Sequence, residues 1–208
     1  MNQSWPVSRA EHILSPARVP GGIEKGRRGV VASPRRATGG RVLVGGVGYG
    51  NLRDLSAGPL LMQRLGTLGD GVDVEDLSYS PIDVLFALER RDPYARVVLV
   101  GAVARGDPPG TVRRQRWAAP PIAPEDLQTR IAEAVTGVIS LDNHLYVLTH
   151  FGALPEEVVV IEIEPEDQGW GEGTSEVVRA AMERAAALVR AEVAEAGSGT
   201  PGGEATRP

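Results

Sequence analysis

The sequence predicts one α/β domain of three layers, with helices on both faces of a mainly parallel sheet. Three observations predict it. Short apolar runs alternate with segments of helical periodicity between residues 41 and 196. The most apolar run, Arg96 to Val103 (RVVLVGAV), shows no alternation, as a strand covered on both faces requires. A Gly-rich turn, Gly45 to Gly50, follows directly on the first apolar run, as at the junction of a parallel strand and its crossover helix.

The elements follow in order. Val42-Leu43-Val44 reads as a buried strand ending at that turn. Ala57 to Leu68 is a helix by the spacing of Leu60, Leu61, Leu65 and Leu68, with Gly69 as its stop. Val72 to Leu77 alternates valines with acids, a half-exposed strand. Pro81 to Arg90 is a helix with proline in its first turn and Val84, Leu85 and Leu88 on one face. Thr111 to Trp117 pairs as an edge strand after the Pro108-Pro109-Gly110 turn. Two helices follow, Pro124 to Val135 and Leu141 to Phe151. Glu156 to Glu164 (EEVVVIEIE) is a second buried strand, and Thr174 to Glu195 is a long Ala-rich helix capped by Thr174 or Ser175.

The flanks read differently. Residues 1–40 carry several prolines and paired glycines without periodicity, and residues 197–208 (GSGTPGGEATRP) are similar, so both are expected to be disordered. Residues 1–41 hold seven arginines and Lys25 against Glu11 and Glu24, a balance of +6; with a net charge of −5, the remainder carries −11. Lys25 is the only lysine, so the arginine excess reflects coding bias as much as chemistry. Aromatics do not interleave with these arginines. A solvated leader, or a start site placed too far upstream, explains the basic stretch better than a nucleic-acid arm.

Composition excludes several classes of function. The chain has no cysteine, which removes disulfides, thiolate metal sites and a thiol nucleophile, and three histidines cannot build a His-rich metal cage. The longest uncharged apolar run, Val97 to Ala104, is too short to cross a bilayer. No secretory signal is read in the first 20 residues, so the expected compartment is the cytoplasm. Neither nucleic acid nor a membrane is an expected partner.

Chemistry is expected at the carboxyl ends of the strands. The Gly45–Gly50 loop could cradle a phosphate, which makes a small nucleotide-binding module the rival reading. Its glycine spacing departs from the dinucleotide fingerprint, however, with Asn51 or Arg53 where the third glycine belongs. Asp107, Asp142 and His144 could form a substitute metal set, but their spacing requires no metal, and solvated helix and loop positions explain them. Glu162, Glu164, Glu166 and Asp167 could be paired carboxylates; a solvated sheet edge or strand end accounts for them equally. Ser56, Ser78 and Ser80 lack a histidine in an obvious partner position for a triad. Trp170, between two glycines, is an exposed aromatic that suits either a partner surface or a lid.

The stretch Val42-Leu43-Val44-Gly45-Gly46-Val47-Gly48-Tyr49-Gly50-Asn51-Leu52-Arg53-Asp54-Leu55-Ser56-Ala57-Gly58 resembles the opening of the hydrogenase maturation proteases. The run Val97 to Val103 with Pro109-Gly110-Thr111 resembles their third strand and Pro-Gly-Thr turn. Leu141 to Pro155, then Val158 to Glu166, resemble their late helix, Leu-Pro loop and last strand. The resemblance covers roughly residues 41–195 in order. It implies that family's three-layer, phosphorylase/hydrolase-like sheet fold, and an endopeptidase that trims the C-terminal extension of a nickel–iron hydrogenase large subunit. The nickel belongs to the precursor, and the protein needs no cofactor of its own.

By the same resemblance, Gly48, Asn51, Asp54 and Gly101 fall at substrate-binding positions, and Asp54 is the one candidate catalytic group. The three positions from which family members reach the precursor's nickel fall on Leu55, Gly101 and Gly137, none of which offers a donor atom. The leading expectation is therefore a maturation protein that binds the large-subunit precursor or its assembly factors, with cleavage left open. The alternative is an active endopeptidase whose metal contacts come from elsewhere.

Overall fold

The computed structural model describes residues 33–34 and 40–198. The expected disorder of the leader and tail lies almost wholly outside the described residues. Strands β1 (Val42–Val47), β2 (Val72–Asp76), β3 (Arg96–Ala102), β4 (Val112–Arg116) and β5 (Glu157–Ile163) form one sheet in the order β2-β1-β3-β5-β4. All neighbours are parallel except β4, which runs antiparallel on the edge beside β5. This is the expected α/β sandwich.

Period-two alternation sorts the sheet into two cores. Val44, Val98, Val100, Val159 and Ile161 face α1 (Ala57–Leu65) and α5 (Glu176–Ser198). Leu43, Val97, Leu99, Val158 and Val160 face α2 (Pro81–Glu89) and α4 (Leu141–His150). Helix α3 (Pro124–Val135) packs outside these two, and the Ser80 hydroxyl, which also caps α2, donates to the carbonyl of Ala134 at 2.7 Å.

Three boundaries differ from the sequence reading. Strand β1 runs on through Gly45 and Gly46, whose backbones pair with both neighbouring strands. Gly46 is required there: a Cβ would lie 2.4 Å from the Gly58 carbonyl oxygen, because α1 rests directly on the strand. Helix α1 stops at Gly66, three residues before Gly69; at φ +59° Gly66 takes the left-handed turn a side chain resists. Leu68 still packs on the core from the following loop, which is why it extended the helical pattern. Helix α5 continues to Ser198, past the expected end at Glu195 and into the first two residues of the stretch expected to be disordered, because Val193 and Ala196 pack on the core and Arg96 pairs with the buried Glu192.

Candidate functional site

The carboxyl ends of β1, β3 and β5 lie side by side, and the loops leaving them are sewn together. After β1 the chain turns back: the Tyr49 amide donates to the Leu55 carbonyl at 3.0 Å and the Gly48 amide to the Ser78 hydroxyl at 3.2 Å. Arg53 to Ser56 forms a short 3-10 turn, with Arg53 at a positive φ of 34°. The loop after β5 lies across it: the Gly171 amide donates to the Asn51 carbonyl and the Arg53 amide to the Gly171 carbonyl. From the other side, the Ile139 amide donates to the Tyr49 hydroxyl at 2.8 Å, tying the α3–α4 connection to the same loop.

Asp54 is the anchor of this assembly. Its side chain is wholly buried, and Oδ2 accepts from the amides of Glu166 and Asp167 and from the Ser175 hydroxyl at 2.8–2.9 Å. Oδ1 accepts from the Ser175 amide at 2.6 Å. This carboxyl group accepts four hydrogen bonds and has no face turned to solvent. The expected catalytic candidate thus stands where a substrate cannot touch it unless the loop after β5 lifts away.

The other expected substrate positions divide. Asn51 is exposed on the loop. Gly48 is pressed against the turn, where a Cβ would lie 2.1 Å from the Leu55 oxygen. Gly101 is buried opposite Glu162 on β5, and a Cβ there would come within 3.0 Å of the Val47 oxygen and 3.4 Å of Leu141 Cδ2. Leu55 is half-buried and turns no donor toward the cleft. Gly137 sits at φ +83° just past α3, where the Val138 amide reaches back to the Glu133 carbonyl. That is the left-handed closing residue of a helix, a place glycine fills for backbone reasons.

The carboxylates that sequence reading placed on a solvated edge are buried. Glu162 and Glu164 are 3% and 6% exposed, because β4 covers β5 and the β3–β4 connection folds over them. Arg105 is the reason they can be buried. Its guanidinium makes two bonds to Asp142 at the start of α4, at 2.7 and 3.0 Å, and bonds Glu162 at 2.6 Å. The backbone amides of Arg105 and Gly106 both donate to Glu164. Pairing with Asp142 and then Glu162 raises the Arg105 pKa further above its ordinary value, so the centre of this network is a permanent cation.

The proposed substitute metal set does not assemble. Asp142 belongs to Arg105, Asp107 pairs with Arg113, and His144 is fully buried rather than solvated. His144 Nδ1 lies 2.8 Å from the Ser140 carbonyl while Nε2 makes no hydrogen bond. Burial lowers its pKa, more than the nearby backbone oxygens of Ser140, Leu77 and Tyr79 raise it. Among the described residues, no group of three or more His, Asp or Glu side chains could hold a metal ion. None of the serines forms a triad: Ser56 bonds the Arg53 carbonyl, Ser78 holds Gly48, and Ser80 caps α2.

The nucleotide reading also loses its footing here. The amides of Gly48 and Tyr49, which would cradle a phosphate, are spent on Ser78 and Leu55. Arg105, the organising residue of the network, carried no signal beyond its place after the strongest strand. Ser175 was legible only as a helix cap, which it is, accepting from the Val178 amide at 3.3 Å.

No family profile and no curated protein matches the chain. Solved structures do. A hydrogenase 2 maturation peptidase from a Thaumarchaeota archaeon is 27% identical with a TM-score of 0.51, the match covering 74% of this chain and 98% of that one. The hydrogenase maturating endopeptidase HybD of E. coli superposes with a TM-score of 0.59 at 23% identity, over 76% of this chain and 94% of its own. The endopeptidase HycI of Escherichia coli gives 0.53 at 21%, covering 73% and 90%. The two E. coli proteins share the fold, and the archaeal peptidase adds sequence likeness along nearly its full length. The chain thus has the fold of the hydrogenase maturation proteases and is similar in sequence to one of them along its whole domain.

Proposed function

We propose that the chain acts in the maturation of a nickel–iron hydrogenase by binding the large-subunit precursor without cleaving it. One observation carries this reading. At each position where the family resemblance calls for a group that reaches the precursor's nickel, the chain has a residue without a donor, and two of the three are glycines fixed by the backbone around them. A Cβ at Gly101 would press on the Val47 oxygen at 3.0 Å and on Leu141, and Gly137 closes a helix. The carboxylates of Asp142 and Glu162 are already engaged in ion pairs with Arg105. Asp54, the remaining acid of the opening motif, is sealed beneath the loop after β5.

A binding role is supported by the rim of the same cleft. The β2–α2, α3–α4 and β5–α5 connections expose Tyr79, Val138 and Trp170, the last at 81% of its surface. Large exposed side chains on loops held by a rigid sheet suit recognition of a polypeptide. No helix among the described residues is long and apolar enough to cross a membrane.

Mixing the full chain with a nickel-loaded large-subunit precursor tests the reading. The expected result is a complex that co-elutes in gel filtration with the precursor's mass unchanged. A shortened precursor at substoichiometric chain replaces the binding role with that of an active endopeptidase. No complex and no cut removes both.

A further inference from the structure

Strand β2 is one edge of the sheet, and among the described residues no strand lies on its outer side. Its pairing to β1 is unbroken from Val42↔Val72 to Gly46↔Asp76. The Val42 amide donates to the Gly71 carbonyl and the Leu77 amide to the Gly46 carbonyl, so Gly71, Asp73, Glu75 and Leu77 turn their backbone groups toward β1. Val72, Val74 and Asp76 turn theirs outward. The amides and carbonyls of Val74 and Asp76 meet no hydrogen-bond partner among the described residues. With neither proline nor bulge to turn another chain away, this edge is a template for a further strand.

A groove of about 360 Å³ accompanies the edge, with Met62, Gly66 and Thr67 at the end of α1 facing Val72 and Val74. Val72 and Val74 point to the α1 side and pack on its core, whereas Asp73 and Glu75 point to the other side, toward Tyr94 and Arg91. A Cβ built on Gly66, Gly69 or Gly71 would meet nothing within 4 Å, so the approach along the turn before β2 is open.

We infer that this edge takes an extended segment of a partner protein as a sixth strand, apolar where it faces α1 and basic where it faces Asp73 and Glu75. Charge selects the occupant. Asp70, Asp73, Glu75 and Asp76 follow one another along the edge, and only Asp73, through Arg41, and Glu75, through Arg91, are compensated. Asp70 and Asp76, at its two ends, are exposed and have no ion-pair partner among the described residues. A second copy of the chain fits poorly. Two β2 edges paired antiparallel about Val74 would set Asp73 directly opposite Glu75 of the other copy, twice, and like charges so placed destabilise a strand pair. A basic segment from another protein gains the same backbone hydrogen bonds with the opposite charge. Beyond β2 the chain reaches Ser78, which holds the Gly48 amide, so a strand added here leads to the rim of the candidate site. Neither the edge nor its charge depends on what that cleft binds.

Anisotropy titrations of the full chain at low salt, with the labelled and end-capped peptides RVRVRVR and EVEVEVE, test the inference. The basic peptide is expected to bind at least about tenfold more tightly than the acidic one. Val74→Pro removes an outward amide and puts a ring in the path of the new strand without touching the ladder to β1, and should weaken binding at least about tenfold. Asp70→Asn with Asp76→Asn should weaken it about threefold to tenfold and flatten its salt dependence. Both aspartates are exposed, so this pair decides the matter even if the proline variant does not fold. Equal binding of the two peptides, no binding at about 1 mM, or an affinity unmoved in either folded variant overturns the inference. So does a chain that dimerises by itself and loses the dimer in Val74→Pro, which would give the edge to a second copy.

Discussion

Ser175 holds Asp54 twice, through its amide at 2.6 Å and its hydroxyl at 2.9 Å, so the first turn of α5 is locked onto the loop after β1. The same carboxylate takes the amides of Glu166 and Asp167. One buried side chain thereby closes the β5–α5 connection over the end of the sheet. Asp54→Ala is expected to cost about 3 kcal/mol, since it strands several buried donors at once. At 2–4 °C per kcal/mol this is a fall in melting temperature of about 10 °C. Ser175→Ala removes the cap and one bond and should cost about 1 kcal/mol. Thermal melts of the two variants check the ordering.

Arg105 makes a second prediction. Arg105→Leu leaves Glu162 buried without its partner and should destabilise by about 3–5 kcal/mol in denaturant titrations. Pairing it with Glu162→Gln removes the stranded charge and should recover much of that loss. A double variant as unstable as the sum of its parts would show that the network acts through packing instead.

Two glycines of one loop should behave oppositely. Gly48→Ala drives a methyl group to 2.1 Å from the Leu55 oxygen and should cost at least about 2 kcal/mol, because backbone cannot yield as a side chain can. Gly50→Ala meets nothing within 4 Å and should fall within about 0.5 kcal/mol of the parent. If Gly50→Ala were instead the damaging change, a ligand-cradling role for the loop would return.

His144 sets a pH dependence. Its folded pKa lies below the ordinary 6.5, with burial the leading cause, so above pH 6.5 both folded and unfolded chains carry it neutral and it adds no slope. As pH falls through 6.5 the unfolded chain takes up a proton that the folded chain refuses, and stability drops. The limiting slope is about 1.4 kcal/mol per pH unit for one proton. His144→Leu should flatten unfolding free energies measured between pH 8 and pH 5 relative to the parent. An unchanged slope would assign the effect to other groups.

The architecture was legible because it rests on local pattern. Arg96 to Val103 announced a strand covered on both faces, and Pro81 with Val84, Leu85 and Leu88 announced a helix; both stand as read. The site was less legible because its contacts are distant along the chain. Asp54 meets partners 112 to 121 residues later, and Arg105 meets Glu162 57 residues later. Alternation correctly put Glu162 and Glu164 on one face of a strand but could not say what lay over that face. The loop carrying Arg105 covers it. His144 was misread for a similar reason: a histidine in the first turn of a helix looks solvated until the neighbouring loop is in place.

The close seating of α1 has a broader consequence. A Cβ on Gly46 would run into Gly58, and a Cβ on Gly58 would run into the carbonyls of Val47 and Val100, so main chain touches main chain along the seam. The molecule's scaffold is thus dictated by atoms every amino acid shares, while Asn51 on the outer rim touches none of that seam. Mutation can rewrite what such a rim recognises without loosening the frame that carries it, and a lineage can change its chemistry while keeping its shape.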